Sequence, residues 1–194
     1  MVALVAGGSA LAAGLATRWA VKRAAERAPA PSPPPAPRPP SALAQAGFEL
    51  DLGDVVEVLG RELWLEEAWL LSEGTDSVAA LYSAREATLL ALPSPAATLY
   101  LLDPVELGLP EEPPSSLESR GVRFERVRRL PVAVKPVGKT APLPWDEALL
   151  SEYRGLGHDA LWVIGRGGRA RVFQGRSVPA ADVVRWGGGE RTLE

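Results

Sequence analysis

Apolar residues in this chain come in short blocks, most of them alternating with polar residues at the two-residue period of a half-buried strand. Phe48-Glu49-Leu50-Asp51-Leu52 alternates apolar and acidic side chains and predicts a first strand. Gly53-Asp54 is a turn signal, and Val55-Val56-Glu57-Val58-Leu59 predicts a second strand closed by Gly60. Residues 62–71 carry Leu63, Leu65, Trp69 and Leu71 at odd positions, although their Ala, Leu and Glu content favours helix. The alternation argues for strand, with Gly74 turning it into a hairpin with residues 78–82. Residues 87–92 and 98–102 are further short strands, separated by Pro93-Ser94-Pro95. Residues 109–119 are rich in Pro, Glu and Ser and mark an internal break near 109–120.

Val122, Phe124 and Val127 predict a strand interleaved with Arg123, Arg126, Arg128 and Arg129, and residues 132–137 predict another. Residues 145–154 predict the one clear helix, with Asp146 and Glu147 near its start, where the helix dipole favours acids. Residues 160–164 form a continuous apolar run. Gly165, Gly167 and Gly168 follow, then an alternating block at 169–173, the pattern of a tight hairpin. Residues 178–186 predict a last strand or a short helix. The expected fold is mainly β, a β-rich α+β arrangement: an antiparallel sandwich or partly closed barrel with one helix.

A different pattern occupies the start. Residues 1–16 are uncharged and mostly apolar, Arg18, Lys22, Arg23 and Arg27 follow, and eight of the twelve residues 29–40 are proline. A spanning helix needs roughly 20 apolar residues. Residues 1–21 approach that length if Arg18 snorkels and Trp19 sits at the interface. A secretory signal carries its charge before the apolar run; here the charge comes after it, which predicts a cytoplasmic domain. The expected organisation is a transmembrane anchor at 1–21, a basic and proline-rich linker at 22–44, a β-rich globular domain at 45–188 and a tail at 189–194. The expected location is the inner or cell membrane, single-pass; the alternatives are an exported form and a non-spanning helix or artefactual start. The linker is expected to extend as polyproline II, rising about 3.1 Å per residue. Its alternative reading is a ligand for a proline-recognising domain.

Charge narrows the partners. Residues 1–40 hold five basic residues and one acid, so 21 − 5 = 16 basic and 24 − 1 = 23 acidic residues remain, a net charge of −7 for the rest. An acidic domain is a poor nucleic-acid binder. The expected partners are the membrane, through the N-terminal segment, and one or more proteins. There is no cysteine and one histidine, His158, so thiolate chemistry and Cys- or His-rich metal sites are excluded.

Chemical motifs do not survive inspection. Gly138-Lys139-Thr140 lacks the preceding glycine and the following helix of a phosphate-binding loop. Gly155-Leu156-Gly157-His158-Asp159-Ala160 follows a predicted helix and precedes a strand, the reverse of a dinucleotide-binding turn. No catalytic residue, cofactor or metal is predicted. The candidate interaction surface is Trp64, Trp69 and His158, because indoles dominate interaction surfaces and His158 is the single histidine of the chain.

Leu52-Gly53-Asp54, Gly60, Trp69-Leu70-Leu71 and Gly74, with Ser151-Glu152-Tyr153 and residues 161–175 later, resemble domain-of-unknown-function family 4178, a bacterial family, over about residues 47–184. That resemblance implies a compact β-rich module without known catalysis, of a kind that accompanies membrane-associated and envelope-stress proteins. Two functions follow as expectations. The first is a membrane-tethered, non-catalytic interaction or scaffolding module, envelope-associated by that resemblance. The alternative is a small-ligand binder or enzyme using a Trp-lined groove near His158.

Overall fold

The computed structural model describes residues 40–85, 87–93, 98–179 and 182–186. In chain order its elements are α1 (Ala42–Gln45), β1 (Val55–Val58), β2 (Arg61–Trp64), β3 (Glu67–Glu73), β4 (Asp76–Ala84), β5 (Ala87–Ala91), β6 (Leu99–Val105), β7 (Ser116–Ser119), β8 (Val122–Pro136), β9 (Glu147–Arg154), β10 (Asp159–Arg166), β11 (Arg169–Val178) and β12 (Val183–Trp186). Eight strands run β3-β4-β5-β6-β11-β10-β9-β8, and β3 also pairs with β8. Every pairing is antiparallel, so the sheet closes into an eight-stranded barrel. Closure removes the unpaired edges that an open sheet exposes. β7 lies beside β8 outside the barrel, and β12-β1-β2 form a separate three-stranded sheet.

Alternation sorts the side chains by face. The barrel interior is filled by Leu71, Leu81, Leu90, Tyr100, Leu102, Leu150, Trp162, Ile164 and Phe173, among others. The outward residues of β3 to β6 pack with α1 and the inner face of the three-stranded sheet, through Leu43, Val56, Val58, Leu63, Tyr82 and Leu89. A third cluster joins Leu117, Phe124, Tyr153, Leu161, Val163 and Val172 on the opposite outer wall. With both faces covered, the run at 160–164 needs no polar residues, and β10 is buried from Ala160 to Gly165. The β10–β11 hairpin turns on Gly167 and Gly168, with φ of +59° and +76°, the pair of positive φ values that a two-residue turn demands. At Gly175 a Cβ would stand 1.9 Å from the Leu101 carbonyl oxygen, so only glycine lets β11 lie against β6 there.

The expected mainly β class is correct, and the barrel is fully closed. Four local expectations are corrected. Residues 145–154 hold strand β9 instead of a helix, because pairing with β8 on one side and β10 on the other overrides helix propensity. The only α-helix among the described residues is the four-residue α1. Residues 48–52 are not a strand. Phe48 and Leu50 are buried, but this segment is held by the Tyr82 hydroxyl donating to the Leu50 carbonyl at 2.8 Å instead of by a strand partner. Residues 62–71 divide at Leu65-Glu66 between two sheets, where the Leu65 N–H and C=O bond to Asp54 and Gly53. Residues 122–127 and 132–137 belong largely to one 15-residue strand, β8.

The break at 109–119 carries β7, and residues 178–186 carry the end of β11 and then β12. The anchor, the linker up to residue 39 and the tail lie outside the described residues. Among the described residues, no helix is long and apolar enough to cross a membrane.

Trp162 is fully buried in the barrel, while His158 is exposed in the β9–β10 turn. Replacing Trp162 by alanine should cost roughly 3–5 kcal/mol in a denaturant titration, as large aromatic deletions do. His158→Ala should stay within about 0.5 kcal/mol.

Candidate functional site

The three sequence candidates fall on three different parts of the fold. Trp69 points into the barrel and is 6% exposed, with its indole N–H donating to the Ala141 carbonyl at 2.9 Å. His158 sits in the exposed β9–β10 turn, its Nδ1 3.2 Å from the Ser177 hydroxyl. Trp64 lies on the outer face of the three-stranded sheet and is 46% exposed. The structure brings it together with Trp186, which is 58% exposed. Val55 is the cross-strand partner of both, so Trp186, Val55 and Trp64 form one row across β12, β1 and β2. The next row on the same face is Val184, Glu57 and Glu62. The opposite face is the buried one, carrying Val56, Val58 and Leu63.

A second arrangement lies inside one end of the barrel. β8 begins with Val122 and Phe124 on the outer wall. A bulge between Arg126 and Arg128 places Val127 as an extra residue, so Arg126 pairs with Tyr153 and Arg128 with Glu152. A one-residue bulge moves every following side chain to the other face. Arg128 is therefore set on the inward side, beside Glu152. Trp162 pairs with Glu152 from the other flank, giving a row Arg128–Glu152–Trp162 across three strands.

Glu152 is 5% exposed and is held from two sides. Arg154 reaches its Oε1 at 2.6 Å through Nη2 and 2.7 Å through Nε, and the Arg128 Nε lies 3.4 Å from Oε2. Arg154 also donates to the Tyr100 hydroxyl at 2.5 Å, with its guanidinium carbon 5.3 Å from the centroid of that ring. Tyr100 meets Trp162 edge to face at 5.2 Å. Two guanidiniums face one carboxylate, a net charge of +1. Arg128 Nη2 and Trp162 Nε1 are buried without a hydrogen-bond partner among the described residues. Chemically this is a charge-locked plug with N–H groups able to meet an acceptor, and the Tyr100 hydroxyl donates to Glu152 Oε1 at 3.4 Å.

Sequence reasoning missed Tyr100, Arg128, Glu152 and Trp186. Tyr100, Arg128 and Glu152 meet only through the register of distant strands, and Trp186 joins Trp64 only through the pairing of β12 with β1.

A cleft of about 940 Å³ lies where β6 and β11 run past the β4–β5 hairpin. Ser83, Thr88, Leu107, Arg171 and Phe173 are among the residues that line it. None of the three sequence candidates lines it. No group of three or more His, Cys, Asp or Glu among the described residues could hold a metal ion. Compared with known proteins, the chain matches no family model, no curated protein and no solved structure.

Removing Glu152 leaves two guanidiniums facing each other at the barrel end. Glu152→Ala should lower stability by roughly 1.5–3 kcal/mol, the worth of hydrogen bonds to charged groups, because both arginines still reach solvent. Chemical denaturation measures it.

All three tyrosines of the chain resist ionisation. Burial foremost, then the Glu152 carboxylate, pushes the Tyr100 phenol up to about 12. Burial also raises Tyr82, helped by Asp51 and Asp54, and raises Tyr153 against the opposing Arg126. Each folded pKa lies above its unfolded value, so this stability is fully present below about pH 10 and is lost as pH rises through the folded values. Phenolate absorbance should stay low past pH 10 until the protein unfolds, and Tyr100→Phe should reduce the loss of stability between pH 10 and 12.

Proposed function

We propose that this chain is a membrane-tethered, non-catalytic interaction module whose docking surface is the outer face of the β12-β1-β2 sheet. The observation that carries the docking surface is the row Trp186–Val55–Trp64. Two half-exposed indoles flank a valine on a sheet whose other face is locked into the core. Clustered exposed indoles are expensive in water and dominate binding energy at interfaces. The barrel interior is filled by side chains, so the barrel acts as the rigid support for that sheet. The tether rests on the apolar run at 1–16 and the basic residues behind it, which favour a domain on the cytoplasmic side. The resemblance to domain-of-unknown-function family 4178 supports the same reading.

A small-ligand binder is the second reading, favoured by the cleft at β6 and β11. It takes a different form from a Trp-lined groove near His158, since Trp69 is inside the barrel and Trp64 and His158 stand on separate elements.

One experiment tests tether and surface together. Full-length protein carrying a photo-crosslinking residue in place of exposed Val184, one row from the indoles on the same face, should sediment with membranes, resist carbonate extraction and give a discrete protein adduct on illumination. The same residue in place of exposed Leu156 should give none. A chain starting at Ser41 should remain in the soluble fraction. Full-length protein in the soluble fraction would refute the tether, and equal labelling from both positions would refute the docking surface.

A further inference from the structure

Resting on the interaction-module reading, we infer that the Trp186–Val55–Trp64 row recognises a proline-rich, basic peptide segment of a partner protein, lying across the strands in polyproline II conformation. The first argument is a matching of lengths. Trp64 and Trp186 stand on the two strands flanking β1, each the cross-strand partner of Val55. Two strand spacings of about 4.8 Å separate their backbones by roughly 9.6 Å. Three residues of polyproline II rise about 9.3 Å, one full turn of that helix. Prolines at positions i and i+3 therefore come into register with the two indoles, with the residues between them over Val55. An extended β-strand rises about 3.3 Å per residue but turns alternate residues to opposite faces, so its i and i+3 side chains cannot both face the sheet. An α-helix covers only about 4.5 Å in three residues.

The second argument is the chemistry of the contact. A proline ring is flat, apolar and already restricted, so it covers an indole face at little entropic cost. The third is charge. Glu57 and Glu62 are exposed and opposite each other one row away on the same face, about 6.6–6.8 Å along the strands. The basic residues of these strands are turned to the other face. Arg185 bonds to the Glu49 carbonyl and Asp54, and Arg61 pairs with Asp103. The docking face is thus acidic beside its aromatic row, complementary to an Arg or Lys flanking the proline pair. It would repel acidic peptides and anionic lipid surfaces.

The test uses detergent-solubilised full-length protein and isothermal titration calorimetry with a synthetic ten-residue peptide. This peptide carries prolines at i and i+3 and one adjacent arginine. Saturable binding is expected. Trp64→Ala and Trp186→Ala should each weaken it by roughly tenfold or more, as loss of an aromatic anchor does. Both side chains are exposed, so an unchanged melting temperature separates lost binding from lost folding. Moving the second proline to i+2 should weaken binding as strongly as a tryptophan substitution. Glu57→Lys with Glu62→Lys, or Arg→Glu in the peptide, should weaken it by about threefold, and the effect should fade with salt. Absence of saturable binding would overturn the proposal, as would equal affinity for the i+2 peptide or for the tryptophan variants. A crosslinked adduct from position 184 without peptide binding would leave the interaction module standing and remove the proline-rich class of partner.

Discussion

The bulge at Val127 is the constraint on which the barrel depends. Strand β8 is 15 residues long and serves two surfaces in succession. Its first half sends Phe124 to the outer wall beside Tyr153, and its second half sends Val132 and Val134 to the interior. A strand without an extra residue keeps one face throughout. In this chain that would turn either Phe124 into the barrel or Val132 and Val134 out of it. The bulge resolves the conflict with one unpaired residue. It also brings the second half of β8 to the Trp69–Ser72 stretch of β3, the pairing that closes the ring.

The same bulge explains why a charged cluster sits in an otherwise apolar interior. Once Arg128 faces inward it needs a counter-charge, and Glu152 stands across from it on β9. Arg154, two residues further along β9, closes on the same carboxylate and on the Tyr100 hydroxyl. Charges in a partly buried place stabilise only when their hydrogen bonds are complete. The cluster meets this in part, since the carboxylate and the phenol are partnered while Arg128 Nη2 and Trp162 Nε1 have no hydrogen-bond partner among the described residues. The gain is specificity: apolar residues could fill the barrel in several registers, whereas a carboxylate between two guanidiniums is satisfied in one.

The outer sheet has the opposite character. β1 and β2 bury Val56, Val58 and Leu63 against the barrel wall and leave their other side to solvent. Trp64 and Trp186 stand on that side, 46% and 58% exposed. Under the proposed docking role, a preorganised surface of this kind would lose little entropy on binding. The barrel and the three-stranded sheet share one hydrophobic cluster, in which Leu63 and Val56 meet Tyr82 and Leu89.

Much of this was legible locally. Alternation and glycine placement announced the β3–β4 and β10–β11 hairpins, because the two-residue period and positive φ are properties of the chain itself. The continuous run at 160–164 announced a strand covered on both sides. Residues 147–154 were misleading, since Glu, Ala and Leu favour helix until strands on both sides claim their backbone groups. Residues 48–52 misled in the other direction, because alternation records which side chains are buried and is silent on whether a neighbouring strand exists. The charged cluster could not be read at all: Tyr100, Arg128, Glu152 and Trp162 are far apart in sequence or lie on strands whose register depends on the bulge. Trp64 could be named, but its partner Trp186 lies more than a hundred residues away, and only the pairing of β12 with β1 makes the two indoles one surface. Local sequence determined which segments extend and where they turn; closure, register and the choice of face were decided by tertiary pairing, because a one-residue shift exchanges the inside of a barrel for its outside.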